Sequence, residues 1–393
     1  MDEYPPHLVR RAVALSAASF GILGGCLTLP GTLLPLLVER FGIRLVEAGS
    51  MLALQPVGYL VAVLAAGRLI RAYGTRRVLA AGMSTAAAGF AGFGLISGWT
   101  GGAAMMLVSG LGFGVMEVGT NSLLIVAGGA RRSNLLNLAH LFFGVGSFIT
   151  PVLAAHAVGA GLSWRLTFLA AGAIAAGVAG AWALSEVHDV AAIEPSGGRV
   201  RRSRSALLFA SMLAVYVGTE MGIGGWLTKY MVSVRGVTLT YAGNALSVYW
   251  LGLSGGRLVL SVLSHRVREE VLLVGLTSLA AAAMCAALFV ERPVEVVSCA
   301  ALTGLGFSGI FPAVIALGGR SHPHDTAGVT SVMIAGAGVG GILIPWTMSA
   351  VADAAGLVAG MAVYAALCAV MVAQALLVRV TLPTSGGGAI RTT

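Results

Sequence analysis

Long apolar runs constrain this chain more than any other feature, because about 20 apolar residues in a helix match the thickness of a bilayer. Only 10% of the 393 residues are charged, against about 25% in soluble domains. The sequence therefore predicts an all-α integral membrane protein with twelve transmembrane helices. The twelve runs fall at roughly 12–38, 46–70, 77–97, 103–127, 134–158, 164–185, 206–233, 239–263, 270–290, 294–318, 327–351 and 356–380.

One long hydrophilic stretch, residues 186–205, divides these runs into two sets of six. It holds Asp, Glu, Pro, Gly and four arginines, and no other connection is as long and polar. We therefore expect an N-terminal six-helix bundle (1–185), a cytoplasmic linker (186–205) and a C-terminal six-helix bundle (206–393).

The basic residues predict the orientation, because cytoplasmic loops of membrane proteins carry an excess of Lys and Arg. With a cytoplasmic N-terminus, 18 of the 24 basic residues, Arg257 among them, fall on cytoplasmic segments and 6 fall outside. We expect a multi-pass protein of a bacterial inner membrane with both termini cytoplasmic. The net charge of +9 then reflects this orientation, and we expect the bilayer, not nucleic acid, as its partner.

An internal repeat relates the two sets of runs. A shift of 194 residues places Gly110–Phe113 on Gly304–Phe307 and Gly144–Gly146 on Gly338–Gly340, without an insertion. Two parallel halves related by an axis along the membrane normal are typical of secondary transporters with a central site. The repeated glycines are expected to pack helices in both halves.

Glu117 is the most informative difference between the halves. It lies near the middle of the run 103–127, with Asn121 one helical turn later on the same face. A carboxylate at this depth costs about 2.5–3.5 kcal/mol on insertion scales, which makes a functional role the default expectation. At the repeat shift these two residues fall on Phe311 and Ile315. The alternative is a structural carboxyl that hydrogen-bonds a neighbouring helix.

The seventh and eighth runs carry a second polar set with aromatic side chains. Carboxylates and amides bond sugar hydroxyls, while an aromatic ring packs on the apolar face of a sugar. The alternative assigns the aromatics to helix packing or to the membrane interface. The set consists of Tyr216, Glu220, Trp226, Asn244 and Tyr249.

Three further polar residues lie inside the N-terminal runs. His140 follows Asn137 by one turn in the fifth run, and a lone histidine there is either a packing residue or a proton carrier. Gln55, next to Pro56, is a hydrogen-bonding candidate that could equally relieve the proline kink.

The sequence predicts no enzyme, metal site or cofactor. It has no nucleophile–base pair and no phosphate loop, and its four cysteines lie inside apolar runs without metal-ligand spacing. The segment His322–Asp325 is read as a hydrophilic turn. The energy source we expect is a proton gradient.

Twelve helices in two halves with a basic linker resemble the major facilitator superfamily. The loop after the second run resembles that superfamily's glycine-and-arginine signature, but Arg71 stands where the signature has an acid. That acid helps to latch the halves on the cytoplasmic side in the superfamily, so the resemblance implies a different latch here. The residues that match the loop or mark its departure are Gly67, Arg71, Gly74, Arg76 and Arg77.

More narrowly, the chain is similar to the fucose–galactose–glucose:proton symporter branch. The similar stretches are Gly112–Glu117 with Asn121, Leu136–Gly144, Tyr216–Glu220, Gly224–Leu227 and Gly304–Pro312. The resemblance implies that Glu117 is the fourth-helix carboxylate tied to proton coupling and sugar binding. The first-helix carboxylate of the fucose transporter has no counterpart around 31–35, which leaves both two-acid coupling and the substrate open.

The leading expectation is a monomeric, proton-coupled symporter for a sugar or similar small solute. Glu117 is the expected proton carrier, with Glu220 and His140 as further candidates. A proton-driven efflux antiporter for amphipathic compounds and a non-transporting membrane sensor are the alternatives. The expected substrate-binding residues are Gln55, Asn121, Asn137, Tyr216, Glu220, Trp226, Asn244 and Tyr249.

Overall fold

The computed structural model describes residues 5–189, 203–263 and 267–381, and these fold almost entirely into helices. In chain order the helices are α1 (Pro6–Thr32), α2 (Leu34–Phe41), α3 (Leu45–Tyr73), α4 (Thr75–Leu95), α5 (Trp99–Gly128), α6 (Arg132–Gly159), α7 (Trp164–Ala183), α8 (Arg204–Arg235), α9 (Leu239–Leu263), α10 (Glu269–Phe289), α11 (Pro293–Phe307), α12 (Ile310–Ser321), α13 (Thr326–Ala355) and α14 (Leu357–Thr381).

Eleven spans formed by the described residues are long and apolar enough to cross a membrane, with α11 and α12 together forming one of them. Helix α9 is not among the eleven, although it has 25 residues and takes the place of the predicted eighth run. It packs along α6 and α11, which are both among them. The predicted all-α membrane architecture is confirmed.

Two of the predicted runs are broken helices. The run 294–318 is interrupted at Ser308, whose hydroxyl donates to a carbonyl one turn earlier, 2.6 Å away. The run 12–38 is interrupted at Leu33, and Pro35 lies in the first turn of α2. Proline has no N–H to continue the hydrogen-bond ladder of the preceding helix. An apolar pattern gives the length of a span and does not show such a break.

The same helix pairings occur in both halves. In the N-terminal half α1 packs on α6, α3 on α5 and α4 on α7. In the C-terminal half the equivalent pairs are α8 on α13, α9 on α11 and α10 on α14. The chain therefore forms two pseudo-symmetric helical bundles, each repeating one packing scheme.

The repeated glycines lie where the helix backbones come closest. Gly110 of α5 lies against the backbone carbonyl of Gln55 on α3. Gly304, its repeat partner in α11, lies in the same way against the backbone carbonyl of Tyr249 on α9. A side chain at either position would collide with backbone, which explains why the glycine frame recurs in both halves.

The linker end is the end at which α3 turns into α4 and α7 leads towards the linker; the opposite end, where α2 meets α3, is the far end. Most of the predicted linker, including Arg199, Arg201 and Arg202, lies outside the described residues, as does Arg266. Ser203 caps α8 by accepting from the backbone N–H of Ala206.

We expect Gly110→Ala to lower the thermal stability of the detergent-solubilised protein, because the new methyl group overlaps backbone of α3 that cannot move away cheaply. Gly177→Ala, in α7, is the matched control, since no atom lies within 4 Å of the new methyl group. The control should be as stable as the wild type or more stable, since alanine favours helix by about 0.5–1 kcal/mol. Equal unfolding temperatures for the two variants would contradict the close packing of α3 on α5.

Candidate transport site

The two halves meet along two antiparallel helix pairs, α3 with α13 and α6 with α9. These pairs are equivalent under the 194-residue repeat. Helices α1 and α2 add contacts to α8, where the Thr228 hydroxyl donates to the carbonyl of Gly31. A site shared by the two halves would therefore lie along these seams or in the helices between them.

Charged and polar contacts close the α3–α13 seam at the far end. Arg44 pairs with Asp353 at 3.6 Å, and the same carboxylate accepts from the backbone N–H of Leu45 at 3.0 Å. About two turns further in, the Trp346 indole donates to the Ser50 hydroxyl at 3.1 Å. The seam begins with an ion pair and continues as a tight helix contact.

The equivalent α6–α9 seam closes with small residues instead of charges. Thr240 donates to the carbonyl of Ala155 at 3.4 Å, and its side chain lies against Gly159. Gly243 lies against Pro151. At the repeat shift Asp353 corresponds to Gly159, so one seam is ionic and the other depends on close backbone approach.

The seams open towards the linker end. Leu60 still touches Gly338 near the middle of the bundle, whereas one turn further Leu64 and Ile334 are 74% and 41% exposed. His140, one turn beyond Gly144 on α6, is exposed as well. The two halves thus enclose a cleft that is closed at the far end and open at the linker end.

Glu117 lies in α5 on the N-terminal side of this arrangement. It shares a helix stripe with Gly110 and Gly114, which bring α3 close, and it interacts with the hydroxyl of Tyr59 on that helix. It is partly exposed. Asn121, one turn later, has a buried side-chain oxygen without a hydrogen-bond partner among the described residues. A carboxyl group and an amide are therefore available on one stripe.

Glu220 lies in the middle of α8 and is 4% exposed. Arg257 of α9 faces it, with Nη2 at 3.8 Å from the carboxylate. Tyr216 lies beside both groups, and the Tyr249 hydroxyl donates to the backbone carbonyl of Glu220 at 3.1 Å. The C-terminal half thus holds an ion pair inside the membrane-spanning part of the bundle, surrounded by phenol groups.

Two buried donors in this half lack a hydrogen-bond partner within the described residues, the indole N–H groups of Trp226 and Trp250. The rings of Tyr216 and Phe307 are 5.6 Å apart, beside the break between α11 and α12. Trp226 reaches Gly49 of the other half, and Trp250 contacts Phe143. Unsatisfied buried donors are uncommon, and each calls for a partner such as water or a ligand.

The structure separates the predicted site residues into groups. His140 packs on Phe20 and interacts electrostatically with Arg257 across the seam. It therefore lies in the same group of residues as Glu220 and not in that of Glu117. Asn137 is exposed at the open end of the cleft. Gln55 donates to Ser109 at 3.3 Å within its own half.

Asn244 does not join the site. It is exposed, and it lies on the same face of α9 as Leu251 and Leu258, which are both more than half exposed. The face that carries Trp250 and Arg257 points towards α6 instead. Helical periodicity within α9 would have separated these faces, since Leu251 follows Asn244 by two turns.

Two residues of the site were missed in the sequence. Arg257 was counted as a cytoplasmic flank, and the structure corrects this, because the residue lies inside α9 beside Glu220. Its position within the predicted run 239–263 was the available signal, since an arginine inside a span is rare. Tyr59 gave no such signal, because a tyrosine in an apolar run is ordinary.

Arg71 stands where the superfamily signature has an acid, but an acidic residue from elsewhere in the chain lies beside the connection between α3 and α4. Gly74 has a positive φ of 82°, which favours glycine, and the carboxylate of Asp189 lies against it. The position is the N-terminal end of α4, where the helix dipole favours an anion. Arg76 donates to the carbonyl of Ser185 at 3.2 Å. The other residues of the predicted motif are Gly67 and Arg71, in the last part of α3, and Arg77, in the first turn of α4.

Known proteins resemble this chain over most of its length. A glucose/mannose transporter of Bacillus subtilis (strain 168) is 23% identical over 338 residues, which cover 81% of this chain and 83% of the relative. The crystal structure of a D-xylose–proton symporter superposes with a TM-score of 0.78 at 12% identity, covering 95% of this chain and 98% of the other. The E. coli fucose:proton symporter superposes with a TM-score of 0.61 at 21% identity, covering 93% and 98%.

The sequence profile described as Major Facilitator Superfamily matches residues 15–291 and 208–391, which together cover nearly the whole chain. The two pseudo-symmetric bundles and the seams between them agree with this match. The predicted resemblance is confirmed, and the chain is a membrane transporter and not an enzyme. It belongs to the Major Facilitator Superfamily.

Proposed function

We propose that the chain is a proton-coupled symporter that takes up a sugar or a similar small polar solute across a bacterial inner membrane. The observation that carries the proposal is Glu117, a partly exposed carboxyl group inside a membrane-spanning helix whose described side-chain partner is the neutral phenol of Tyr59. An ionisable group in this position is a typical proton relay of transporters.

The chemistry of the C-terminal half supports a solute rich in hydroxyl groups. The unpartnered donors of Trp226 and Trp250 can each bind a hydroxyl oxygen, and aromatic rings can pack on the apolar face of a sugar. Asn121 offers an acceptor from the other half. The glucose/mannose transporter and the two sugar–proton symporters above are consistent with this solute class.

The charges of the site support coupling through Glu117. Arg257 offsets Glu220, so protonation of Glu117 leaves these three groups without net charge. The change between the outward-open and inward-open states costs less free energy when the enclosed site has no net charge, since an unpaired charge in a low-dielectric interior is expensive. We propose that a neutral solute and a proton move together for this reason.

The conformation supports alternating access, in which one end of the cleft opens while the other closes. The distribution of Lys and Arg favours a cytoplasmic linker end. On that orientation the structure is inward-facing, with the ionic α3–α13 seam and the glycine-packed α6–α9 seam closing the outer side.

We expect Glu117→Gln to abolish proton-driven uptake in proteoliposomes and to spare solute counterflow, because glutamine keeps the shape but cannot release a proton. The assay uses purified protein and a panel of radiolabelled D-glucose, D-mannose, D-xylose and L-fucose, with and without an inward proton gradient. Glu291→Gln is the matched control, since it makes the same change in an exposed loop. Proton-driven uptake that survives Glu117→Gln would refute the proton-carrier role.

We expect Asp353→Asn to favour opening of the far end, because it removes the ion pair with Arg44. Surface pairs contribute about 0.2–1 kcal/mol, so the ratio of the two states should shift about fivefold or less. A cysteine in place of Ser349, which is buried against Gly49 of the other half, reports opening through labelling with a membrane-impermeant maleimide. The native cysteines are first replaced by alanine.

High salt should raise labelling of the otherwise wild-type reporter and have little effect on the Asp353→Asn reporter, because salt screens the exposed pair. Arg44→Gln, which removes the other member, should match Asp353→Asn. Labelling that ignores both substitutions would show that the ion pair does not influence closure.

A further inference from the structure

The membrane-spanning part of the chain holds two carboxyl groups in unlike surroundings. Glu117 is partly exposed and interacts with a phenol, while Glu220 is buried and faces a guanidinium at 3.8 Å. The predicted site gave both residues a possible part in proton coupling. The surroundings separate the two roles.

Arg257 is the group that makes the difference. A guanidinium keeps its charge at any physiological pH, and it favours the ionised form of a carboxyl group beside it. If Glu220 took a proton, the charge of Arg257 would be left without a counter-ion inside the bundle. The Glu220 carboxylate of this pair is buried, while the Arg257 side chain is 39% exposed. Losing one member of a pair that holds a buried charge is unfavourable, whereas replacing both members is often tolerated.

The other groups around this pair provide no substitute counter-ion. Tyr216 on α8 and Tyr249 on α9 are phenols, and His140 faces Arg257 from α6. From α14, Tyr364 lies against Gly222 of α8, and Cys368 is an electrostatic neighbour of Tyr249. None of these groups is an anion at neutral pH, so Glu220 is the counter-ion on which Arg257 depends within the described residues.

We infer that Arg257 is a positioning residue that keeps Glu220 ionised throughout the cycle, so that a single proton, carried by Glu117, accompanies each solute. This inference rests on the proposed symport. In each cycle the Glu117 carboxylate gains a proton from the outer solution and releases it to the cytoplasm, while the Glu220–Arg257 pair keeps its charges.

The inference is tested with Arg257→Gln, Glu220→Gln and the double variant, each in the full chain. In proteoliposomes the ratio of protons to sugar, measured with a pH dye and radiolabelled D-glucose, should be one for the wild type. Arg257→Gln should raise this ratio towards two, because Glu220 is then free to take a proton from the outer solution and to release it to the cytoplasm in each cycle. The double variant should return it to one, and Arg257→Lys should keep it at one.

A second measurement does not need a transported solute. Solubilised protein is titrated between pH 5 and pH 9, and the protons bound per molecule are compared among the variants. Arg257→Gln should bind one proton more than the double variant, whereas Glu220→Gln and the wild type should bind equal numbers. Arg40→Gln, in an exposed position on α2, is the control. It removes one positive charge and should bind as many protons as the wild type between pH 5 and pH 9.

Two results would overturn the inference. One is a wild type that binds one proton more than Glu220→Gln, because Glu220 would then titrate beside Arg257. The other is an Arg257→Gln variant that folds and binds no extra proton. The wild type could move no sugar while the four proteins still bind the expected numbers of protons. That result would refute the proposed symport and would leave intact the inference that Arg257 keeps Glu220 ionised.

Discussion

The cost of placing polar groups in a bilayer governs this structure. Backbone N–H and C=O groups cannot find water in the hydrocarbon layer, so a chain that crosses it many times has to do so as helices. Side-chain charges obey the same constraint. Among the described residues, Glu220 and Arg257 are charges at membrane depth that form a pair, whereas Glu117 is a partly exposed carboxyl group beside a phenol.

The pseudo-symmetry of the two bundles provides a common scaffold on which the halves can differ. Gly110 and Gly304 make the same close helix contact in each half, and this contact fixes where the neighbouring side chains lie. In the N-terminal half the contact brings Tyr59 beside Glu117. Around the equivalent contact the C-terminal half instead carries Phe307 and Phe311, which pack on Tyr216.

The two seams between the halves use different interactions for the same purpose. An ion pair is weakened by salt and is easily separated in water, while a glycine–threonine contact depends on shape and excludes water. Arg44 and Asp353 lie on one seam, and Gly159 and Thr240 lie on the other. Closure of the far end is therefore not symmetric, even though the helices that form it are related by the repeat.

Much of the fold followed from local sequence patterns. Run length and composition predicted the spans and the all-α membrane class, and the 194-residue repeat predicted the equivalence of the halves. The breaks at Leu33 and Ser308 did not follow, because an apolar pattern reports burial in lipid and not the continuity of a helix. The place of Asn244 outside the site could have been found from the periodicity of α9.

What the sequence by itself determined was the membrane fold, the superfamily and the presence of a carboxyl group, Glu117, at bilayer depth. The membrane fold and the depth of Glu117 follow from hydrophobicity and spacing, which are properties of each segment alone, whereas the superfamily follows from the resemblance of the motifs to a known family. Only the tertiary structure decided which charges meet. Arg257 and Glu220 are 37 positions apart in the sequence, and no local pattern reports their contact, because it arises from the packing of α8 against α9.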